Sequence, residues 1–445
     1  MAAVLTQQPS EWNMAYAPLV FVMSGLGSAD KYIVYVEVNG QNIATLRQPE
    51  NPAGVGIFDV SNIIQAYLEP EFVETTPRVA PSTTAACTYR IKYGIETAGV
   101  PEFTGYSATK YALNGYVNWR QLNWDVDPFR TGVTEFACES PGYDGLIDQK
   151  RFLTNYPGEY TIRRDEYHTL SFFNQFENFT LAQFQDQPYF VDIKHYNAAG
   201  AQITQYNYVI SEDTGLGPRM NCNDQGPYEY NLANWIGHVG IGTKNMTEAG
   251  LPIPAQSVKY TVTLYSLNGC YYGLNGPISD CEDTGELVDF YGQVEYQATF
   301  NIQDDCTPFD PIRISFLNQY GMRDYYTFDR RNTYTVDTNR SNYKQVLGTW
   351  SSDTFSIDQV GRGLRTFSSE IEELMMLSTN WMDDETSKWL QELFTSPHIL
   401  IYKDGQWEPC VINSKTYDER TKARQKMYRY DISVRYSNPK TVQRG

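Results

Sequence analysis

Alternation of apolar and polar residues, broken at short intervals by turn residues, restricts the fold more than any other feature of this chain. The clearest run lies near the C-terminus, where Tyr428, Tyr430, Ile432, Val434 and Tyr436 alternate with Arg429, Asp431, Ser433 and Arg435. Strand side chains point to opposite faces with a period of two, so the run reads as a half-buried strand. Residues 31–38 read KYIVYVEV, and Asn39-Gly40 separates them from a second run over residues 43–46. Asn-Gly suits the tight hairpin turn in which both central residues take positive φ. In residues 88–93, Tyr89, Ile91 and Tyr93 share one face while Arg90 and Lys92 share the other. Further strands are expected over residues 189–196, 201–210, 259–267 and 290–302. Two more hairpins are expected, one turning at Asn114-Gly115 and one joining residues 398–402 to 407–413. Turn signals at this spacing are typical of sandwiches and small barrels.

Helical signals are few. Residues 383–395 begin with Asp383, Asp384 and Glu385, where negative charge suits the helix dipole. Trp389, Leu390, Leu393 and Phe394 form an apolar stripe, and Ser396-Pro397 ends it. A short turn is expected over residues 61–67. Residues 368–377 fit either a helix, with Ser369 and Glu372 as a capping box, or a strand.

A chain of 445 residues exceeds one ordinary core and implies two to four domains. Gly, Pro and acidic residues over 139–148, and QDDCTPFDP over 303–311, place boundaries near 145 and 305. The expected fold is mainly β and multi-domain: β-sandwich-like domains at 1–145 and 146–304, then an α+β assembly domain with one short helix at 305–445. Phe152-Leu153-Thr154-Asn155-Tyr156 echoes Phe316-Leu317-Asn318-Gln319-Tyr320. The echo is either chance or the trace of two related sandwiches.

Tyrosine is the compositional outlier, its 35 copies equalling Lys and Arg together. Tyr fits pleated sheet surfaces and protein interfaces. A net charge of −18 opposes general nucleic-acid affinity, and no direct nucleic-acid recognition is expected. The charge is uneven: residues 415–445 hold nine basic and three acidic side chains. That basic end either meets an acidic surface on a neighbouring copy or is a solvated strand and loop. Seven Cys in 445 residues do not make a disulfide scaffold. The N-terminal residues do not read as a signal peptide, and the longest apolar stretch, residues 17–23, is too short to span a membrane. Synthesis in a cytosol and no membrane insertion are expected.

Motifs for chemistry are missing from the sequence. His168, His195, His238 and His398 show no metal-ligand spacing, and each reads as a surface or interface residue. There is no G-x-S-x-G elbow and no P-loop. Cys222, Cys270, Cys281 and Cys306 allow a zinc site or a Cys270–Cys281 disulfide, and neither is compelled. The acidic clusters at residues 280–283 and at Asp304-Asp305 read as solvated loops. The glycosylation patterns at Asn178, Asn245 and Asn339 carry no weight without a secretory leader. The eight Trp read as core or interface anchors, with sugar stacking as the other possibility. No catalytic, metal or cofactor-binding residue is therefore expected.

Several segments together carry a resemblance: Glu11-Trp12-Asn13, Ala17-Pro18-Leu19, VEVNG ending at Gly40, GVGIFDV ending at Val60, and IIQAYL ending at Leu68. RFLTNY ending at Tyr156, ISFLN ending at Asn318 with Gly321, Tyr326-Thr327-Phe328, and Trp381 with Trp389-Leu390, Leu393 and Pro397 complete it. In these short motifs the chain resembles virion structural proteins of tailed bacteriophages, typically those infecting Bacteroidetes and marine bacteria. The resemblance implies a tail, collar or baseplate ring component made in the host cytoplasm and located in the virion tail or neck. Its implied partners are copies of itself in a ring and other virion proteins, with no enzymatic role. The alternative is a β-sandwich adhesin or carbohydrate-binding module for host recognition.

Overall fold

The computed structural model describes residues 3–10, 12–116, 152–173, 190–210, 236–267, 291–304, 307–357, 360, 362–413, 420–422 and 427–438. These are mainly β, with three short helices. The chain forms two compact units: Met1–Asp304 with Leu317–Asp324, and Asp305–Phe316 with Tyr325–Gly445. The boundary expected near 145 lies outside the described residues.

The first unit contains two sandwiches. In the N-terminal one, a three-stranded sheet of order β1 (Val4–Gln7), β3 (Val20–Ser24), β6 (Val55–Asp59) faces a larger sheet. That sheet runs β2 (Trp12–Met14), β10 (Lys110–Leu113), β8 (Ala86–Thr97), β4 (Lys31–Val38), β5 (Gln41–Gln48), with β9 (Val100–Tyr106) also on β8. The inward row of β4, Tyr32, Val34, Val36 and Val38, packs with Phe21, Met23 and Phe58 from the smaller sheet. The β4–β5 turn takes φ +48° at Asn39 and +78° at Gly40, the conformation for which Asn-Gly is suited. α1 (Ser61–Gln65) follows β6.

Asn114-Gly115 does not form the expected hairpin turn. Gly115 has no positive φ, and its amide neighbourhood is taken by Gln319, whose carbonyl accepts from Tyr116 N at 2.9 Å. β10 instead lies parallel to β2. Trp119 lies outside the described residues.

In the second sandwich, a sheet of order β11 (Tyr160–Ile162), β17 (Tyr291–Ile302), β16 (Lys259–Leu267), β13 (Phe190–Tyr196), β14 (Gln202–Val209) faces a three-stranded sheet. The latter is β12 (Thr169–Phe173), β15 (Ile236–Gly240), β7 (Val79–Pro81). β7 therefore comes from a segment that precedes β8 of the first sandwich. Tyr260, Val262, Phe300, Phe172 and Val239 fill the space between the sheets. α2 (Thr243–Glu248) follows β15.

The second unit has two-stranded sheets at residues 348–357 and 420–429 and is built on a seven-stranded sheet with a helix. Its order is β19 (Arg323–Phe328), β18 (Ile312–Leu317), β24 (Ile399–Lys403), β25 (Gln406–Ile412), β28 (Asp431–Tyr436), β23 (Leu364–Ser378), β20 (Thr333–Lys344). α3 (Asp384–Thr395) starts at Asp383, whose carboxylate accepts from the Thr386 amide at 2.8 Å. Its buried face presents Trp389, Leu390 and Leu393. The β24–β25 turn takes positive φ at Asp404 and Gly405. Residues 368–377, which fit helix or strand, are strand: β23 pairs with β20 on one side and β28 on the other. The single strand expected over 428–436 divides at Tyr430. Its hydroxyl bonds Ser387 at 2.8 Å, which draws the chain toward α3 between β27 (Met427–Arg429) and β28.

Candidate functional site

Two regions concentrate chemistry-bearing side chains, one buried and one exposed. The buried region covers the outer face of the β12–β15–β7 sheet. Ser171 and His238 face each other across β12 and β15. Ser171 Oγ lies 2.8 Å from His238 Nδ1, and His238 Nε2 lies 2.8 Å from Glu71 Oε2. Glu71 Oε1 also accepts from the Thr83 and Thr84 amides and from both hydroxyls. Burial alone would raise the Glu71 carboxyl. The hydrogen bond and charge of His238, with the Thr83 and Thr84 amides, outweigh it and bring the group down to about 2.

Arg323 joins this layer. Its Nε lies 3.2 Å from Glu74 Oε1, and both side chains are almost completely buried. Asn245 donates to the carbonyls of Glu74 and Thr76, and Thr169 Oγ1 donates to Val73. The segment carrying Glu71, Glu74 and Thr76 is thus laid flat on the sheet. A Cβ at Gly240 would lie 1.8 Å from the Thr76 carbonyl oxygen, so only glycine permits that approach. Thr154 donates to Asp324 at 2.9 Å, Asn318 donates to Leu153, and Tyr320 donates to Asn155. The two echoing sequences thus meet within the first unit, through residues 153–155 and 318–320.

A hydroxyl, an imidazole and a carboxylate in line have the order of a nucleophile, its base and an orienting acid. Ser171 is only 3% exposed, in the middle of a paired strand. The hydrogen bonds of the trio tie the Glu71 segment to the sheet. Sequence reading missed Glu71, Glu74 and Arg323 because their partners lie up to 252 residues away. No local motif marks such a cluster.

The expectation that each histidine sits at the surface or an interface meets a different outcome for three of them, which lie in the interior. His168, His195 and His238 are buried, while His398 is half-buried. His168 packs edge-on against Tyr160 and Phe300. His195 Nδ1 lies 3.1 Å from Ser257 Oγ, and burial, with the Arg164 charge, lowers the ring to about 4. Imidazoles whose ring nitrogens or faces meet partners from elsewhere in the chain are tolerated in a packed interior, which spacing alone did not reveal.

Of the other candidates, Cys222, Cys270, Cys281, Cys306 and residues 280–283 lie outside the described residues. So do Asp305, Asn178, Trp124, Trp235 and most of residues 415–445. Within that basic end, Arg429 pairs with Asp431 at 3.6 Å and Arg435 with Glu372 at 3.7 Å. Asp304 pairs with Arg164 at 2.8 Å. Asn245 is fully buried and hydrogen-bonded, whereas Asn339 is exposed on β20. Trp12 and Trp389 are core residues, Trp381 and Trp407 are half-buried, and Trp350 is 75% exposed. Among the described residues, no group of three His, Cys, Asp or Glu side chains is arranged to hold a metal.

The exposed region is the ribbon of β20 and β23. β23 pairs with β28 only over Leu374–Ser378, yet it pairs with β20 from Met376 to Leu364. The outer part of the ribbon is therefore two strands alone, and β20 is a sheet edge. A small hairpin, β21 (Gly348–Ser351) with β22 (Thr354–Ile357), lies between the two long strands. Around it Val346, Leu347, Trp350, Ile357, Val360 and Leu364 are each more than half exposed. Trp350 and Phe355 lie with ring centroids 5.0 Å apart and planes tilted by 52°. Exposed apolar clusters of this kind mark interaction sites, and a free edge is a template for pairing.

No protein-family profile and no curated protein matches the chain. Among solved structures, Drosophila OTK, extracellular domains 3-5, is similar at 9% identity and a TM-score of 0.16. That alignment covers 92% of this chain and 95% of the other. So low a TM-score carries no argument about fold or function.

Proposed function

We propose that the chain is a structural subunit of a tailed-phage virion, a tail, collar or baseplate ring component that works by self-assembly and docking. The observation that carries this reading is the β20–β23 ribbon, which leaves the sheet as two strands and ends in exposed apolar side chains. An isolated two-stranded ribbon is marginal in water, so a partner surface is what completes it. The motif resemblance to virion proteins supplies the phage context, and the mainly β architecture with Tyr-rich faces suits a ring subunit. The working partners are further copies of the chain and neighbouring virion proteins, its location is the virion, and no catalytic step is needed. No described helix is long and apolar enough to cross a membrane.

Native mass spectrometry with negative-stain imaging of the purified chain tests the reading. Closed or stacked rings are expected. A monomer at high concentration that binds no virion protein overturns it.

One observation favours a second reading, a carbohydrate-binding adhesin: the exposed Trp350–Phe355 pair could lie against a sugar ring. Glycan binding lost on Trp350→Ala would select that reading.

A further inference from the structure

The loop that joins α2 to β16, residues 250–258, is clasped to the second sandwich by one guanidinium. Arg164, in the turn after β11, donates from Nη1 to the Pro254 carbonyl at 3.1 Å. Its Nη2 donates to the Ala255 and Ser257 carbonyls at 3.0 and 2.8 Å. Its Nε lies 2.8 Å from Asp304 Oδ1 and 2.9 Å from Asp304 Oδ2. Two uncharged ties add to the clasp. The Tyr206 hydroxyl donates to the Pro252 carbonyl at 2.8 Å, and the Ser257 hydroxyl lies 3.1 Å from His195 Nδ1. Leu251 and Ile253 of the loop pack against the core between the two sheets.

His195 is completely buried, and its Nε2 has no hydrogen-bond partner among the described residues. The ring meets Tyr206 from β14 and Tyr260 from β16. The charge that acts on it is that of Arg164, and Asp304, after β17, is bonded to that guanidinium. Asp192 and Lys194 of β13, and Lys259 of β16, lie on the other face of the sheet by alternation. A neutral imidazole fits this place, with one nitrogen on Ser257 and the other among packed rings. A protonated one does not. It carries a second N–H with no acceptor and a positive charge beside another positive charge. Lifting the loop removes Ser257 from the ring and lets water reach it.

From this geometry we infer that the 250–258 loop is an acid-released latch: protonation of His195 drives the loop off the second sandwich while the sheets beneath it stay folded. The direction follows from linkage. Burial and the Arg164 charge lower the ring to about 4 in the closed form, against an ordinary value of 6.5. The closed loop is therefore fully favoured above pH 6.5 and loses that preference as pH falls from 6.5 toward 4. Opening uncovers Leu251 and Ile253, so acid adds apolar surface at this end of the sandwich. The inference does not depend on the self-assembly reading.

Hydrogen exchange on the full chain, read by mass spectrometry and expressed as protection relative to an unstructured chain at each pH, tests it. The reporters are the loop amides, among them Leu251 and Ser257, which donate to the Met246 and Pro254 carbonyls. The internal control is the paired amides of β13 and β16 around Val191–Ile193 and Val262–Leu264. Between pH 7.5 and 4.5, loop protection in wild type is expected to fall roughly fifty- to a hundredfold, while the sheet amides keep theirs. His195→Gln, which cannot take the charge, is expected to lose that pH dependence. Tyr206→Phe removes a tie that does not titrate here, so it is expected to lower loop protection equally at both pH values and keep the slope. Loop protection that does not change with pH in wild type overturns the inference. Loop and sheet amides that lose protection together overturn it too, because acid then acts on the whole sandwich. A wild-type slope in folded His195→Gln overturns it and assigns the response to another group. If His195→Gln does not fold, the wild-type contrast between loop and sheet decides, and a slope lost in Tyr206→Phe overturns the latch at His195.

Discussion

Two antiparallel pairs in this molecule are built from the same alternation and end differently. In β4–β5 the inward row Tyr32, Val34, Val36, Val38 is buried beneath a second sheet. In β20–β23 the corresponding row of β20 runs Tyr334, Val336, Thr338, Arg340, and every one of its residues is exposed. The apolar content of that row fades as the ribbon leaves β28, and it returns only at the tip, in Val346, Leu347 and Trp350. Covered strands keep their apolar row to the end. A ribbon that loses the row and then regains it at the tip is polar along its length and apolar at its exposed end. The comparison separates the covered regions, on which stability rests, from the uncovered one, where the proposed association would act.

The largest effect is expected where coverage depends on a buried ion pair. Arg323→Ala leaves Glu74 charged without its guanidinium in a site that is almost completely dry. A loss of about 3–5 kcal/mol of stability is expected. Thermal unfolding measures it, and the double change Arg323→Met with Glu74→Met should recover most of the loss. A single variant as stable as wild type would remove this cluster from the account of how the first unit is held.

Acid should act on the covered regions next. The His195 ring is held neutral in the folded state, down to about 4 from an ordinary value of 6.5. The unfolded chain therefore binds the extra proton first, and stability falls as pH drops from 6.5 through 4. Glu71, held down to about 2, contributes stability above the ordinary carboxylate range and loses it as pH falls from about 4.5 toward 2. Denaturant melts across this range should lose part of the upper slope in His195→Gln. An unchanged slope would assign that pH dependence to other groups.

A smaller loss is expected at the α3 cap. Asp383→Ala removes the acceptor for the Thr386 amide. The expected cost is about 1 kcal/mol, read as a shift in the denaturation midpoint of the second unit.

Much of the strand content was legible because strand periodicity is local. Residues 31–38, with Asn39-Gly40 after them, carry their own strand and turn instructions, and so do residues 383–397 for a capped helix. What the sequence concealed was non-local. Asn114-Gly115 has the composition of a hairpin turn, yet the backbone of residues 319–320 packs against it and the chain continues differently. Three histidines without metal spacing proved to be buried, because their partners, such as Ser171, Glu71 and Ser257, come from distant parts of the chain. The Ser369/Glu372 capping signal lost to strand pairing on both sides of β23. The ribbon tip was written plainly in VLGTW and its neighbours, but an apolar cluster in sequence does not say whether anything covers it.

The smallest stability effect is expected on the ribbon, and it is the sharpest test of the comparison. Val336→Thr with Phe367→Ser replaces two exposed apolar side chains that pack against little in the isolated chain. Surface changes of this kind fall within about 0.5 kcal/mol of wild type. The same exchange in the covered hairpin, Val34→Thr, places a hydroxyl in a fully buried row and should cost about 1–3 kcal/mol. Measured side by side by chemical denaturation at a concentration where the chain is monomeric, the two should differ by several-fold. If the ribbon changes cost as much as Val34→Thr, the ribbon packs within the monomer and is not a free arm. If they cost nothing in the monomer but lower the stability of the assembled form, the ribbon's apolar residues act only across an interface, and stability and association are written in different strands of the same sheet.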